Sequence, residues 1–386
     1  MMKILIAADS FKDALDTFSV CQAIQRGIIA ALPDAHIVEL PLSDGGEGLS
    51  DIAAHYFDLQ RIEVETCDPL FRKHTATYGL SHDNTTAFIE MAQAAGLQLL
   101  KNEERNPLKT TTYGVGLMIE NAVKKGAKRI IIGLGGSATN DAGIGMAAAL
   151  GWQFLDKNGE NVSPIGENLI KIEKAIPPQY NGVKFRISEN QENSTSNIRH
   201  PIYDIAFEAI CDVKNPLFGK NGAAFVFAKQ KGATEQDIET LDKGLMHFAK
   251  IIGEDATVQG AGAAGGLGFG CLYALNATMK RGIDSVLDWA NFDEHAADAS
   301  YIFTGEGRLD AQTLQGKLIA GITERAKGKP IIALCGALDL PPQYLNDLGL
   351  KAAFSITPKP CNLAEALAET AKNLENTAFN IARLLG

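Results

Sequence analysis

The chain opens with KILIAAD at residues 3–9, a short apolar run that ends at Asp9. A run of this length before a polar loop is typical of a buried β-strand. Residues 17–32 carry apolar side chains at a spacing of four, and Pro33 ends this predicted amphipathic helix. A second apolar run over residues 36–42 completes a strand–helix–strand unit, with a loop after each strand.

The last third of the chain repeats this alternation. The sequence predicts strands over residues 301–304, 331–334 and 352–356, and a final helix that begins at Asn362. The first of these strands is expected to break at the Gly-Glu-Gly of residues 305–307. Alternating strands and helices indicate a parallel sheet covered on both faces, and the simplest strand order is the flavodoxin-like one.

The middle of the chain has a different pattern. Residues 61–90 contain three short runs that suggest antiparallel strands, and helical and glycine-rich stretches follow. We therefore predict an α/β fold with two domains. A discontinuous, doubly wound, flavodoxin-like domain comprises residues 1–60 and 288–386, and a second α/β domain is inserted at residues 61–287.

The composition of the chain argues against several classes of protein. The chain has 36 basic and 46 acidic side chains and a net charge of −10, which argues against non-specific binding to nucleic acid or to an anionic membrane. No apolar stretch approaches the roughly 18 residues of a membrane-spanning helix. The six cysteines show no CxxC spacing, so we expect reduced thiols in a cytoplasmic protein. The sequence leaves the oligomeric state open.

A glycine cluster follows one predicted strand of the inserted domain. The run GLGGSATND at residues 133–141 lies between an apolar strand and a helix, where backbone N–H groups and a helix N-terminus can bind an anion. We predict that this loop contacts nucleotide phosphates or a substrate carboxylate, with tight helix–strand packing as the alternative. The residues assigned to the nucleotide are Gly133, Gly135, Gly136 and Ser137, and those assigned to the substrate are Asn140 and Asp141.

A second glycine cluster reads GAGAAGGLGFG at residues 260–270. We predict that Gly265 and Gly266 contact the nucleotide, with a small-residue helix that packs against a neighbour as the alternative. Neither cluster is a Walker A motif, because the pattern GxxxxGK[ST] does not occur in the chain.

Acidic side chains follow the strands of the doubly wound domain. Asp9, Asp44 and Glu306 each come after a predicted strand, so we expect them at the carboxyl edge of the sheet, where ligands bind. Asp44 and Glu306 are predicted Mg²⁺ ligands, together with Asn215 of the inserted domain. Helix capping or a turn hydrogen bond is the alternative role for each acid.

Lys12 is one of few cations near these acids, and we predict that it pairs a substrate carboxylate or a phosphate. Ser10 is assigned to the same substrate, and Asp9 is expected to orient Lys12. Asp212 ends an apolar strand over residues 207–212, where partial burial would fix its rotamer. It is the predicted general base for a substrate hydroxyl, with metal binding as the alternative. The surplus of acids around glycine-rich loops indicates Mg²⁺-dependent handling of phosphate groups.

Five segments together resemble the bacterial type I glycerate kinase family. The resemblance covers essentially the whole chain, and two long segments make it specific. Ala8 and Asp13 stand where the family usually has Pro and Gly, but no departure removes a candidate functional side chain. The five segments are ADSFK (8–12), LSDGGEG (42–48), GLGGSATNDAGIGMAAALG (133–151), CDVKNPLFG with GAAFVF (211–227), and TGEGRLDAQTLQGK (304–317).

The resemblance implies a kinase that moves the γ-phosphate of ATP to glycerate, with Mg²⁺, and gives phosphoglycerate and ADP. It also implies a discontinuous two-domain architecture with the active site in the cleft between the domains. The sequence does not distinguish phosphorylation of the 2-hydroxyl from that of the 3-hydroxyl.

Two other functions stay open at this point. Gly133, Gly135 and Ala138 fit the GxGxxA dinucleotide fingerprint, which would suit an oxidoreductase of a small hydroxy acid. Against it, no acid in a clear strand context follows at the expected distance. A non-catalytic sensor of a hydroxy acid would explain two domains, but not the surplus of acids around the glycine-rich loops.

Overall fold

The computed structural model describes residues 2–43, 49–178, 205–310, 318–326 and 328–386. The chain divides into two compact units. Unit 1 consists of Met1–Tyr56 and Gly282–Gly386, and unit 2 consists of Phe57–Arg281.

The secondary structure alternates along most of the chain. The strands are β1 (Lys3–Ala8), β2 (His36–Pro41), β3 (Leu59–Cys67), β4 (Lys73–Ser81), β5 (Thr86–Glu90), β6 (Arg129–Gly133), β7 (Gln153–Leu155), β8 (Lys174–Ile176), β9 (Ala206–Ile210), β10 (Thr278–Lys280), β11 (Tyr301–Leu309), β12 (Ile331–Leu338) and β13 (Ala352–Ser355). The α-helices are α1 (Thr17–Ala31), α2 (Leu49–Phe57), α3 (Ala92–Ala95), α4 (Tyr113–Lys124), α5 (Ile144–Ala149), α6 (Ala223–Phe227), α7 (Glu235–Ile252), α8 (Ala263–Leu275), α9 (Gly282–Trp289), α10 (Phe292–Ala297), α11 (Leu318–Arg325), α12 (Tyr344–Asp347), α13 (Leu363–Ala368) and α14 (Thr370–Leu385). Short 3₁₀-helices occupy Leu97–Leu99, Asn102–Glu104, Gly166–Lys171 and Lys229–Lys231.

Unit 1 contains a five-stranded sheet in the order β13-β12-β11-β1-β2, in which all neighbours are parallel. Read from β2, this is the flavodoxin-like order, so the predicted fold class is confirmed. Helices α1 and α14 pack together and bury apolar side chains against β1 and β11. Because Ile6 of β1 pairs with Phe303 of β11, the carboxyl ends of these two strands lie side by side.

Strand β11 is longer than the sequence predicted. Its Gly-Glu-Gly segment does not break the strand, which pairs with β12 as far as Leu309. The glycines do not form a turn, and the absence of a side chain at Gly305 leaves room for neighbouring atoms. A Cβ atom on Gly305 would lie 2.7 Å from the carbonyl oxygen of Leu334, closer than real Cβ contacts allow, and 3.3 Å from the ring of Phe11, which is a tight contact.

Unit 2 contains a six-stranded mixed sheet in the order β10-β9-β6-β5-β4-β3. Strands β3, β4 and β5 are antiparallel neighbours, as predicted, whereas β5, β6, β9 and β10 run parallel. Because Gly133 of β6 pairs with Ile210 of β9, the loops that follow these two strands begin at the same edge. An aromatic cluster in the core of this unit consists of Trp152, Phe154, Phe248, Phe269 and Tyr273.

The unit boundaries differ slightly from the predicted domain boundaries. Residues 57–60 group with unit 2 and residues 282–287 with unit 1, the reverse of their predicted assignment. Strand β3 and helix α9 cross the predicted boundaries, and each element stays with the unit in which it packs. Within the described ranges, no helix combines the length and the apolar character needed to cross a membrane.

Candidate functional site

The loop after β1 in unit 1 carries three of the predicted site residues. The backbone N–H of Asp9 donates to the carbonyl of Gly305 at 3.0 Å, and its carboxylate accepts from the backbone N–H of Ser10 at 2.6 Å. Phe11 is buried, and two backbone hydrogen bonds with Leu15, 2.8 and 2.9 Å long, close the loop around it. The loop therefore holds Asp9 against the middle of β11, and Ser10 is held by Asp9.

A cavity of about 700 Å³ lies beside this loop. Lys12 is exposed on its wall, and the ammonium of Lys12 has no ion-pair or hydrogen-bond partner within the residues described. The wall residues come from the β1 loop, from α1 and from the segment around α2. They are Asp9, Ser10, Phe11, Lys12, Asp13, Ala14, Leu15, Asp16, Thr17, Phe18, Leu42, Ser43, Asp51, Ile52 and Ala54.

Of the three predicted metal ligands, the structure places Glu306 in unit 1 and Asn215 in unit 2. Glu306 is half-buried within β11, whereas Asn215 belongs to unit 2, where its side-chain amide donates to the carbonyl of Asn221 at 2.8 Å. Asp44 lies outside the described residues. In the described ranges, no group of three or more His, Cys, Asp or Glu side chains could hold a metal ion.

The glycine-rich loop of unit 2 follows β6. Gly133 is its last strand residue, and Gly135 and Gly136 are exposed, with Gly136 in the left-handed region at φ 68°. The backbone N–H groups of Gly135, Gly136 and Ser137 donate to no acceptor in the described part of the chain. Successive backbone N–H groups in a turn can form a concave site for an anion. We call residues 135–137 the amide turn.

Lys231 lies behind the amide turn. This side chain is only 2% exposed, and its ammonium donates to the hydroxyl oxygen of Ser137 and to the carbonyl oxygen of Thr139, both at 2.7 Å. Burial lowers the pKa of Lys231 to about 7, against the opposing attraction of Asp141.

Asp141 is fully buried and ties the loop to two helices. Its carboxylate accepts from the backbone N–H and the hydroxyl of Thr112, both at 2.8 Å, and from the N–H groups of Gly143 and Gly145 at 3.1 and 3.3 Å. Burial raises the pKa of Asp141, and these hydrogen bonds oppose the rise. We predicted that the N-terminus of the helix after the loop would bind a ligand. The structure differs, because the carboxylate of Asp141 already occupies the start of α5.

Asn140, the neighbour of Asp141, is buried. Among the residues described, both side-chain amide atoms of Asn140, and the hydroxyl of Thr139, have no hydrogen-bond partner. Such groups are rare in folded proteins because each loses its hydration without compensation. The substrate contact predicted for Asn140 stays a prediction, while the contacts of Asp141 are those of a residue that positions the loop.

The second glycine cluster supports the loop from behind. Gly265 and Gly266 are buried at the start of α8 and have positive φ angles of 67° and 87°. A Cβ atom on Gly265 would lie 1.9 Å from the carbonyl oxygen of Thr139, so only glycine allows α8 to approach the loop this closely. These contacts favour the packing alternative, and a nucleotide contact stays a prediction.

Asp212 is exposed, so the partial burial that we expected for it is wrong. Strand β9 ends at Ile210, and Asp212 lies in the loop beyond it instead of at the end of the strand. This loop begins next to the one that follows β6, since the N–H of Leu134 donates to the carbonyl of Ile210 at 3.0 Å.

Sequence reasoning missed Lys231 and Thr112. Lys231 stands in Lys229-Gln230-Lys231, just before a capping box that starts α7, and nothing in its spacing distinguishes it from an exposed surface lysine. Its partners lie more than 90 residues earlier in the chain. Only the tertiary structure shows which of the two lysines is buried.

Comparison with known proteins places the chain in a family. A model of the glycerate kinase family matches residues 4–386. The chain belongs to the glycerate kinase family. A glycerate kinase of Bacillus cereus is 43% identical over 388 residues, covering 99% of this chain and 97% of the relative. The glycerate 2-kinase of Escherichia coli K12 is 38% identical over 391 residues, covering 100% of this chain and 98% of the relative.

A solved structure agrees with this assignment. A crystal structure from Salmonella typhimurium LT2, provisionally named glycerate kinase 2, matches with a TM-score of 0.82 and 39% identity, and covers 100% of this chain and 98% of that one. Members of the glycerate kinase family are enzymes, and this chain is a kinase with a small-molecule substrate. The oxidoreductase and sensor alternatives are therefore wrong.

The burial of Lys231 predicts a pH-dependent stability. Lysine in the unfolded chain has a pKa of about 10.4, whereas that of Lys231 in the fold is about 7. Between these values the unfolded state binds more protons, so folding stability rises with pH. Relative to Lys231→Met, the wild type should gain at most about 1.4 kcal/mol per pH unit above pH 7. Urea unfolding at pH 6, 7, 8 and 9 measures this difference.

The matched control is Lys229→Met, which changes an exposed lysine of the same 3₁₀-helix. The difference in free energy of unfolding between Lys229→Met and the wild type should stay constant from pH 6 to pH 9. A constant difference for Lys231→Met as well would contradict the depressed pKa of Lys231.

Proposed function

We propose that this enzyme transfers the γ-phosphate of ATP to a hydroxyl of glycerate, with Mg²⁺, and releases phosphoglycerate and ADP. The observation that carries the proposal is the amide turn. Its three unpaired N–H groups, on Gly135, Gly136 and Ser137, can donate to phosphate oxygens, and the two glycines have no side chains to block them. Phosphoryl transfer depends chiefly on such positioning and charge stabilisation.

The chemistry of the unit 1 acids fits a magnesium ion. Mg²⁺ usually takes one or two protein carboxylates and completes its shell with water and substrate phosphates, so a cage of three acidic side chains is not required. The hydrogen bond from the backbone N–H of Asp9 to Gly305 holds the backbone of Asp9 beside the strand that carries Glu306. We propose Asp9 and Glu306 as ligands, with Asp44 as predicted from the sequence. When bound, the ion would neutralise charge on the transferring phosphate.

Glycerate is an anion with two hydroxyl groups. We propose that Lys12 pairs its carboxylate, since this ammonium is exposed on the cavity wall without a partner in the described residues. Ser10, on the same wall, can hydrogen-bond to the substrate. Asp212 is proposed to accept or orient the proton of the attacking hydroxyl, a role that an exposed carboxylate beside the β6 loop can perform.

We propose the 2-hydroxyl as the acceptor. The support is the E. coli relative, whose name specifies the 2-position. We also propose that the enzyme is cytoplasmic, since all six cysteines are free thiols.

The proposed reaction predicts a specific product. The purified enzyme, incubated with ATP, Mg²⁺ and D-glycerate, should release ADP in equal amount to phosphoglycerate, and ³¹P NMR with ¹H coupling should show 2-phosphoglycerate. The 3-phosphoglycerate isomer would contradict the regiochemistry alone. No ADP release with glycerate, by a protein that still binds ATP, would overturn the proposed substrate.

The role of Lys12 is tested by Lys12→Ala. Loss of a charge-assisted contact should lower kcat/KM for glycerate by about 100-fold, mostly through KM, with little change in the KM for ATP. Lys351→Ala, which removes an exposed lysine elsewhere in unit 1, serves as the matched control. Normal glycerate kinetics in a folded Lys12→Ala enzyme would remove Lys12 from the site.

A further inference from the structure

Lys231 is a buried cation to which the proposed reaction has so far given no role. An ammonium loses its hydration when it is buried, and this cost is tolerated only where hydrogen bonds or an opposite charge compensate. Lys231 has both, because Ser137 and Thr139 accept its hydrogen bonds and the buried carboxylate of Asp141 attracts it. All three partners lie in the loop after β6.

The backbone around Lys231 fixes where the ammonium lies. The N–H of Lys231 donates to the carbonyl of Ala228 at 3.0 Å, and the next residue, Gly232, has a φ of 95°. A Cβ atom on Gly232 would lie 2.2 Å from the carbonyl oxygen of Arg105, so this turn is packed tightly against another part of unit 2. The backbone of Lys231 is therefore fixed by a tightly packed turn.

The loop has other anchors, but none of them contacts the side chain of Ser137. The N–H of Ala138 donates to Ala95 at 2.8 Å, and the carbonyl of Gly136 accepts from Leu97 at 2.9 Å. The hydroxyl of Thr110 donates to the carbonyl of Ala138 at 3.0 Å. These bonds hold the backbone within the amide turn, at Gly136, and directly after it, at Ala138. In the described residues, Lys231 alone holds the hydroxyl of Ser137.

We propose that Lys231 is a positioning residue for the nucleotide phosphates. Its ammonium holds Ser137 and Thr139 together, and so keeps the N–H groups of Gly135, Gly136 and Ser137 unpaired at one end of the loop. The charge of Lys231, whose ammonium contacts the side chain of Ser137 in this turn, also favours an anion there. The inference rests on the proposed function, since it assigns the phosphates of ATP to the amide turn.

The test is a double-mutant cycle on Lys231→Met and Ser137→Ala, with kinetics and with ADP titration by calorimetry. Lys231→Met should raise the KM for ATP and the Kd for ADP by about 10-fold or more, the loss expected for charge-assisted hydrogen bonds, while the KM for glycerate changes less than about 2-fold. Ser137→Ala should have a smaller effect of the same kind. Lys229→Met is the matched control and should bind ADP like the wild type.

Coupling between the two sites distinguishes positioning from direct contact. If Lys231 acts through Ser137, then Lys231→Met should weaken ADP binding at least about 3-fold less in the Ser137→Ala background than in the wild type. The proposal would be overturned if Lys231→Met weakened ADP binding equally in the wild type and in Ser137→Ala. It would also be overturned if Lys231→Met raised only the KM for glycerate. Ser137→Ala removes one hydroxyl only, so it keeps the proposal falsifiable if Lys231→Met does not fold. ADP binding does not require turnover, so a wild type that fails to phosphorylate glycerate would overturn the proposed function and leave the role of Lys231 separately measurable.

Discussion

The candidate site in unit 2 depends on the hydrogen bonds that the buried carboxylate of Asp141 accepts. This carboxylate accepts hydrogen bonds from the starts of α4 and α5, and so joins two helices to a loop that has almost no regular structure of its own. Each hydrogen bond to a buried charge contributes about 1.5–3 kcal/mol. Together they offset part of the lost hydration of the carboxylate, and the pKa of Asp141 stays raised by burial. Lys231 supplies the compensating cation, so one end of the loop can leave its N–H groups unpaired.

Unit 1 uses packing for a similar purpose. The ring of Phe11, in the loop after β1, packs against Gly305 of β11, where a side chain would crowd it. The backbone hydrogen bond from Asp9 to Gly305 holds Asp9 beside the strand that carries Glu306. In both units, buried side chains hold the backbone around the candidate residues in place.

The sequence predicted features that depend on local patterns. The strand β1, the helix α1 that ends before Pro33 and the capping Asn362 follow from spacing and from turn chemistry, and their alternation gave the flavodoxin-like order. The sequence-based predictions failed where contacts between residues far apart in the chain determine the structure. From the sequence alone, Gly305 is predicted to form a turn, but in the structure it lies in a strand and makes room for Phe11. Lys231 resembles an exposed lysine in the sequence, but in the structure it is buried and donates to Ser137. The burial expected for Asp212 depended on where β9 ends, which apolar periodicity does not fix.

The central claim is that the amide turn binds phosphate, and amide NMR tests it most directly. In deuterated, ¹⁵N-labelled enzyme, the assigned resonances of Gly135, Gly136 and Ser137 should shift on addition of ATP, saturate with its affinity, and stay in place on addition of glycerate alone. Backbone N–H groups that donate to an anion shift in this way because their hydrogen bonds change. The claim would be contradicted if ATP saturated the enzyme while these three resonances did not move.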